Sequence, residues 1–438
     1  MADARPPAGG QTINRVAARL ASPPLYLAVL GSLQLAVLWL LQAHFGTWLP
    51  LTATVALALV LALVALVRDR WLVKLWAVAG LSLFTAVVPA LFEVIRRPRI
   101  GLTVEHDGML QVESAIDRVL SGQPIYGVDW SATPLGSLPW DLTPGGNPAL
   151  HHFAYLPLTV LAGIPFRMVS RVLGLPFDYR TVLAAFVVIG LVAIVLLPQS
   201  AQRRIMLLTA VFISPLITLY LWSGRNDVEF LAMLFVSLAL LSRAHLVAAS
   251  GALGLALALK PFAWPAVPLL LLLLILRWRH HRDSRELIFG GLALLAPPLL
   301  TIAPFFLANP AAFIGDVILY TSGGVPDAYP IAGYGFAELL YNAHLIGHRT
   351  DAFPFALFQL AAVAPVLWLV LRAFNRRPTA RQWLAGYAWL LLVFCFFARF
   401  FNDNYAAAVI TLFLCLPAVD DVIGLAAAGA RPAVPRAA

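Results

Sequence analysis

Charge is scarce in this sequence. Only 12% of its 438 residues are Asp, Glu, Lys or Arg, where an ordinary soluble domain carries about 25%. Lysine is confined to Lys74 and Lys260, so the positive charge is almost all arginine. Cysteine is limited to Cys395 and Cys415, both inside apolar runs, where packed or lipid-facing thiols are expected rather than a disulfide or metal pair. A P-loop, a Rossmann glycine fingerprint, a Ser nucleophile elbow and a His-Glu-x-x-His pair are all missing. A nucleotide as direct substrate therefore has little support. The chain shows no fixed-period repeat and no low-complexity linker beyond short Pro/Ala-rich ends. No small-residue cleavage site follows the first apolar run, so the N-terminal region, polar with Arg5, Arg15 and Arg19, reads as an uncleaved anchor.

Apolar sequence is abundant. Hydrophobic residues make up 61% of the chain, and the mean hydropathy is +0.85. Runs of about 20 apolar residues recur along most of the length, which predicts an all-α polytopic membrane protein forming a single unit over 1–438. Twelve spanning segments are expected near 25–43, 48–67, 73–95, 180–198, 205–222, 228–242, 244–259, 265–279, 287–307, 353–372, 383–399 and 405–425. The net charge of +9 does not imply nucleic acid, because the basic residues lie between apolar runs as topology signals do. The N-terminal arginines, Arg68 and Arg70, Arg203-Arg204, Arg243, the 277–286 and 372–381 runs and the C-terminal arginines fall on one side. That side is expected to be the cytoplasm, with both termini there and the protein in the plasma (inner) membrane. The scheme requires the apolar stretch 153–172, which carries Pro157 and Pro165, to be re-entrant or interfacial. Two long extracytoplasmic loops, 96–152 and 308–352, then face outward, the first rich in Gly and Pro with Trp130 and Trp140, the second rich in Gly and Tyr.

The chemistry-bearing residues gather on that outer face. Arg96, Arg97 and Arg99 break the positive-inside bias just before His106-Asp107-Gly108. Over 107–120 Met109, Val112, Ile116 and Val119 recur at helical spacing, with Gln111, Ser114 and Asp117-Arg118 on the remaining surface, predicting an interfacial amphipathic helix. Asp107 sits where an N-cap would, and a capping Asp can equally be a carboxylate fixed at the membrane surface. In "SGRNDVEF", 223–230, Asp227 and Glu229 form a D-x-E pair beside Arg225. Such a pair can hold a divalent metal, orient an arginine, accept sugar hydroxyls or simply solvate a helix end. Lys260 interrupts an apolar stretch, either snorkelling or reaching a lipid-linked phosphate. "FFARFFNDNYAA", 396–407, offers Arg399, Asn402, Asp403, Asn404 and Tyr405 to phosphate or sugar hydroxyls, unless it is an ordinary polar turn. His151 and His152 lack a third ligand nearby, so hydrogen bonding or packing is expected rather than zinc. In the second long loop Tyr320, Tyr329, Tyr334, Tyr341, His344 and His348 stand among glycines, suited to sugar stacking and to interfacial anchoring alike.

In order along the chain, "EHDG…AIDRVLSGQPIY", "FAYLPLTVLAGIPF", "YLWSGRND", "ALGLALALKPFAWPAVPLLLLLL", "YPIAGYGFAELL" and "RFFNDNY" cover about 100 to 415. This pattern resembles the GT-C superfamily of integral-membrane glycosyltransferases. It is most like glycosyltransferase family 87, the polyprenyl-phosphate-mannose-dependent mannosyltransferases. The usual Tyr-Pro-Pro-Leu is Tyr155-Leu156-Pro157-Leu158 here, and the acidic 225–229 motif departs from the polar turn usual in family 87. The resemblance implies a GT-C fold and a polyprenyl-phosphate sugar donor (mannose, another hexose or a pentose). It also implies a lipid or glycan acceptor, inversion at the anomeric carbon, and Asp107 as general base. No cofactor is implied; a divalent metal at Asp227 and Glu229 is conceivable but not expected. Arg96, Arg97, Arg99, Arg225, Lys260 and Arg399 are the candidates for the donor phosphate. His106, His151, His152, Asp227, Glu229, Tyr329, Tyr334, His344, Asp403 and Asn404 are those for sugar or acceptor. The alternative is a transporter or flippase of a lipid-linked sugar, but transporters tend to carry internal repeats and midplane polar sites, whereas the ionisable residues here gather at one face.

Overall fold

The computed structural model describes residues 22–420 apart from 103–104, 141 and 144. Strand is limited, among the described residues, to Ala332–Gly333 paired in parallel with Phe400–Phe401. The first three long helices are α1 (Pro23–Leu40), α2 (Trp48–Leu66) and α3 (Trp71–Ile100), and the amphipathic α4 covers Asp107–Leu120. Then follow α5 (Pro157–Leu173), α6 (Arg180–Val195), α7 (Ala201–Leu208), α8 (Pro215–Trp222), α9 (Asp227–Leu241) and α10 (Leu246–Leu259). The chain continues through α11 (Val267–His281), α12 (Arg285–Ala308), the short α13 (Phe336–Asn342), α14 (Phe355–Arg376), α15 (Ala380–Phe396) and α16 (Asp403–Cys415). Each of the twelve expected segments contains helix, the last of them running past the described residues at 421–425. Among the described residues seven stretches are long and apolar enough to cross a bilayer: Pro23–Leu40, Trp48–Leu66, Trp71–Ile100, Ala201–Trp222, Pro261–His281, Arg285–Ala308 and Phe355–Arg376. The protein is thus an all-helical chain built for a membrane.

Burial separates the centre of the bundle from its rim. The 201–222 stretch has 78% of its apolar window buried within the protein, against 6% for 285–308 and for 355–376. Apolar helices that bury so little of themselves are solvated by lipid chains, which are as apolar as leucine. The central stretch breaks at Ser214-Pro215, where the proline removes a backbone donor and the Ser214 Oγ caps the restarted helix by accepting from Leu216 N at 3.3 Å.

Both long connections are more ordered than loops. α3 runs on to Ile100, so Arg96, Arg97 and Arg99 belong to its last turns and not to the first loop. The second connection opens with a continuous helical run over 310–322. The 153–172 stretch forms one helix, α5, laid against α4 and tied to it by Asp117, which bonds Arg167 at 2.8 and 2.9 Å and Arg171 at 2.7 Å. At one end of the bundle Arg203 pairs with Asp420 at 2.6 Å, Arg204 and Arg243 bond the carbonyls of Val195 and Leu196, and Arg381 bonds Val419 O. The helices that leave this basic end carry Arg225, Asp227 and the 402–405 turn at their other end.

Candidate functional site

The site is assembled where four segments meet. His106 N donates to Ser223 O at 2.8 Å, which pins the start of α4 to the 223–226 turn. The cap of α4 is His106, whose Nδ1 accepts from Gly108 N at 3.1 Å, so Asp107 is the first helical residue rather than the expected N-cap. Its carboxylate lines a cavity, with Oδ1 accepting from Gly108 N at 2.7 Å and lying 3.0 Å from His106 Nδ1, and the helix N-terminus favours its negative charge. Two glycines make the junction possible. A Cβ on residue 108 would fall inside the Tyr155 hydroxyl, and one on residue 224, at φ +91°, would strike the Met109 side chain. Burial holds the His106 imidazole below its ordinary range, the neighbouring Asp107 pulls against that, and Arg225 and Lys260 add to the depression.

Opposite Asp107 lies a polar network. Lys260 Nζ donates to Asp227 Oδ1 at 2.5 Å and to Asn226 Oδ1 at 3.2 Å, over the rings of Phe262 and Tyr405. Asn404 Nδ2 donates to the other Asp227 oxygen at 2.6 Å. Arg225 donates to Asp403 Oδ1 at 2.5 Å and to Asn404 Oδ1 at 3.0 Å. Yet Arg225 Nε and the Tyr320 hydroxyl are buried without a hydrogen-bond partner among the described residues. Both residues line the same cavity, so each has unused hydrogen-bonding capacity beside it. Glu229 stands behind, fully buried, accepting from Tyr179 at 2.6 Å, Thr159 at 3.2 Å and Asn226 at 3.3 Å.

These groups border a cavity of about 300 Å³. Asp107, His106, Arg225, Lys260, Tyr329 and Asn402 form its polar part, and Leu259, Phe262, Phe355 and Phe394 its apolar part. A second cavity of about 480 Å³ shares His106, Asp107, Arg225, Tyr329 and Asn402 with the first and is otherwise walled by residues 102–147. Asp107 stands on the partition.

Several expected site residues are placed elsewhere. Arg96 bonds His44 at 2.7 Å and lies 3.7 Å from Glu93. Arg97 grips Glu113 through two bonds of 2.8 and 2.7 Å and reaches Asp178 at 3.1 Å. Arg99 is exposed at the end of α3. The whole arginine cluster therefore misses the cavity, because α3 extends past residue 95 and carries Arg96 against His44 and Arg97 onto Glu113 of α4, with Arg99 exposed. Arg399 does line the cavity, but it spends its donors on the carbonyls of Tyr329 (2.5 Å), Asp351 (2.9 Å) and Arg349 (2.9 Å), clamping the second connection. Tyr334, His344 and His151 are exposed and outside the cavity. His152 sits between Asp316 (2.9 Å) and Asp327 (3.0 Å), stacked on Tyr320, and so fastens the two long connections to each other. Asp403, Asp227 and Glu229 lie behind the wall as partners of Arg225, Lys260 and Tyr179.

Other contributors carried no legible signal. Gln111, expected on the outer face of α4, is buried and donates to Ala149 O and His152 O at 2.6 Å each. Tyr155 was legible only as part of a motif. The buried ladder Arg97–Asp178–Arg180–Glu105, at 3.1, 3.0 and 3.2 Å, which braces the residue before His106, joins positions far apart in sequence. Among the described residues no three His, Cys, Asp or Glu side chains gather as metal ligands. Asp227 and Glu229 point into different hydrogen-bond sets.

Fold and site together define a polytopic helical protein with a carboxylate and two cations facing across a half-apolar cavity. Comparison of the chain with family models, with curated proteins and with solved structures returns no match.

Proposed function

We propose that the protein is an inverting glycosyltransferase of GT-C type, resembling family 87, that uses a polyprenyl-phosphate sugar. One observation carries the reading: Asp107, at a helix start, shares a cavity with Lys260 and with Arg225, whose buried Nε has no partner among the described residues. A lipid-linked phosphate would answer the orphaned Nε, and its isoprenoid chain would suit the apolar end at Phe262, Phe355 and Phe394. The acceptor hydroxyl oxygen attacks the anomeric carbon as its proton passes to Asp107. The bond from that carbon to the phosphate oxygen breaks with its electron pair, and polyprenyl phosphate leaves against Arg225 and Lys260. The twelve-span arrangement, the plasma-membrane location, cytoplasmic termini and an extracytoplasmic site are part of this reading. The arginine-rich end of the bundle lying away from the cavity supports the orientation in this reading. A lipid-linked-sugar flippase shares the phosphate chemistry but has no use for a base on the partition between two cavities.

The test is transfer of label from polyprenyl-phospho-sugars to lipid or glycan acceptors in nanodiscs, comparing wild type with Asp107→Asn, with and without chelator. Loss of a general base predicts a fall of about 10²–10⁴-fold in kcat with the donor KM unchanged. Wild-type protein that binds donor and transfers nothing would put the flippase first.

A further inference from the structure

The second cavity is built differently from the first. Its own walls come from the first long connection alone, and it has no counterpart to the phenylalanine-lined end at Phe262, Phe355 and Phe394. Trp140 forms one side with Leu138, Pro139 and Leu142. The indole Nε1 is already satisfied by Thr143 Oγ1 at 2.8 Å, and that hydroxyl in turn donates to Gly146 O at 2.6 Å. The ring is thus held in place with its polar atom occupied, leaving a flat apolar face. The same cavity is lined by His106, Asn147, Asn402 and Asp107. Asn147 Oδ1 accepts from Ala149 N at 2.9 Å, which fixes which end of its amide carries the N–H donors. A flat apolar wall together with scattered hydrogen-bonding edges matches a molecule with an apolar face and polar rim.

We propose that this cavity is the acceptor site and takes a carbohydrate ring, with Trp140 as its stacking face. The inference rests on the transferase reading and narrows it: the acceptor offers a sugar hydroxyl, not a bare lipid alcohol. An aliphatic alcohol would need an apolar channel, which only the first cavity provides. A ring placed here has Asp107, which lines both cavities, as the base for its hydroxyl, while Lys260 lines the first cavity and not the second.

Full-length protein in nanodiscs is offered a labelled polyprenyl-phospho-sugar, with methyl glycosides of several hexoses or dodecanol as acceptors. Label is expected to reach a methyl glycoside and not dodecanol. Trp140→Ala is expected to raise the acceptor KM about tenfold, the loss of about 1.4 kcal/mol, leaving the donor KM unchanged. Trp140→Phe, which keeps a flat ring, should recover most of the loss. Equal transfer to dodecanol, an acceptor KM unmoved by Trp140→Ala, or a fall in kcat and stability alone would overturn the proposal while leaving a transferase. If the wild type neither transfers nor hydrolyses the donor, the transferase reading fails. Calorimetric binding of the methyl glycosides then decides the cavity: binding lost in Trp140→Ala keeps it as a sugar site, and absent or unaltered binding removes it.

Discussion

Lys260 holds two positions at once, and a pair of substitutions separates them. Its Nζ lies 2.5 Å from Asp227 Oδ1, with 13% and 4% of the two side chains exposed, so this is a buried ion pair. Lys260→Met leaves the Asp227 carboxylate with the Asn404 amide as its hydrogen-bond donor among the described residues. Breaking one side of a buried pair costs about 3–5 kcal/mol, because the remaining charge stays desolvated. Removing both charges in Asp227→Asn/Lys260→Met should restore most of that stability, since a neutral pair of similar volume is often tolerated. Catalysis should not follow stability. If Lys260 also meets the donor phosphate, its loss removes a charge-assisted hydrogen bond of about 1.5–3 kcal/mol, about 10- to 150-fold in donor KM. The assay pairs denaturant or thermal unfolding of the purified protein with the donor KM for wild type, the single and the double variant. Recovery of both stability and donor KM in the double variant would refute the phosphate role and leave Lys260 as the counter-ion of Asp227.

Gly108→Ala should lower the transfer rate by about 10²-fold without unfolding the protein, because the new Cβ must push Asp107 or Tyr155 aside and small misplacements of a reacting group are that costly. A wild-type rate in that variant would mean that the Tyr155 contact does not set the carboxylate. Arg180, fully buried between Asp178 (3.0 Å) and Glu105 (3.2 Å), should cost about 3–5 kcal/mol when replaced by Met. The half-exposed Arg171, paired with Asp117, should cost under about 1 kcal/mol on replacement by Ala. Equal melting shifts for the two would undo this ranking. His152 predicts a pH effect. Burial opposes its charge, but the hydrogen bonds to Asp316 and Asp327 outweigh it and raise its value above the ordinary one. A raised folded-state value means a stabilising contribution that is complete below the unfolded value of about 6.5 and lost as pH rises through the folded one. Hydrogen exchange across 316–329 should therefore quicken with pH beyond its intrinsic base dependence, and His152→Asn should remove the extra slope.

Composition and periodicity were enough to mark this chain as a helical membrane protein, and each expected segment contains helix within the described residues, since local apolar content and helical spacing are properties of a single stretch. The residues around Asp107, Arg225, Lys260 and the 402–404 turn were also visible in advance, as ionisable groups interrupting apolar sequence are costly and stand out. What the sequence misjudged was partnership. Arg96 and Arg97 read as free cations because Glu93, Glu113 and Asp178 reach them only once α3 is extended and packed. Arg399 read as a phosphate ligand because the carbonyls that consume its donors carry no side-chain signature. Gln111 read as surface because a buried amide is marked only by the backbone oxygens it meets. The helices follow from the residues one stretch at a time. Which charges remain available for chemistry was decided by tertiary packing, because a charge's neighbours can lie far along the chain, as Asn404 does from Arg225 at 179 positions, and close-range electrostatics depends on distance in space.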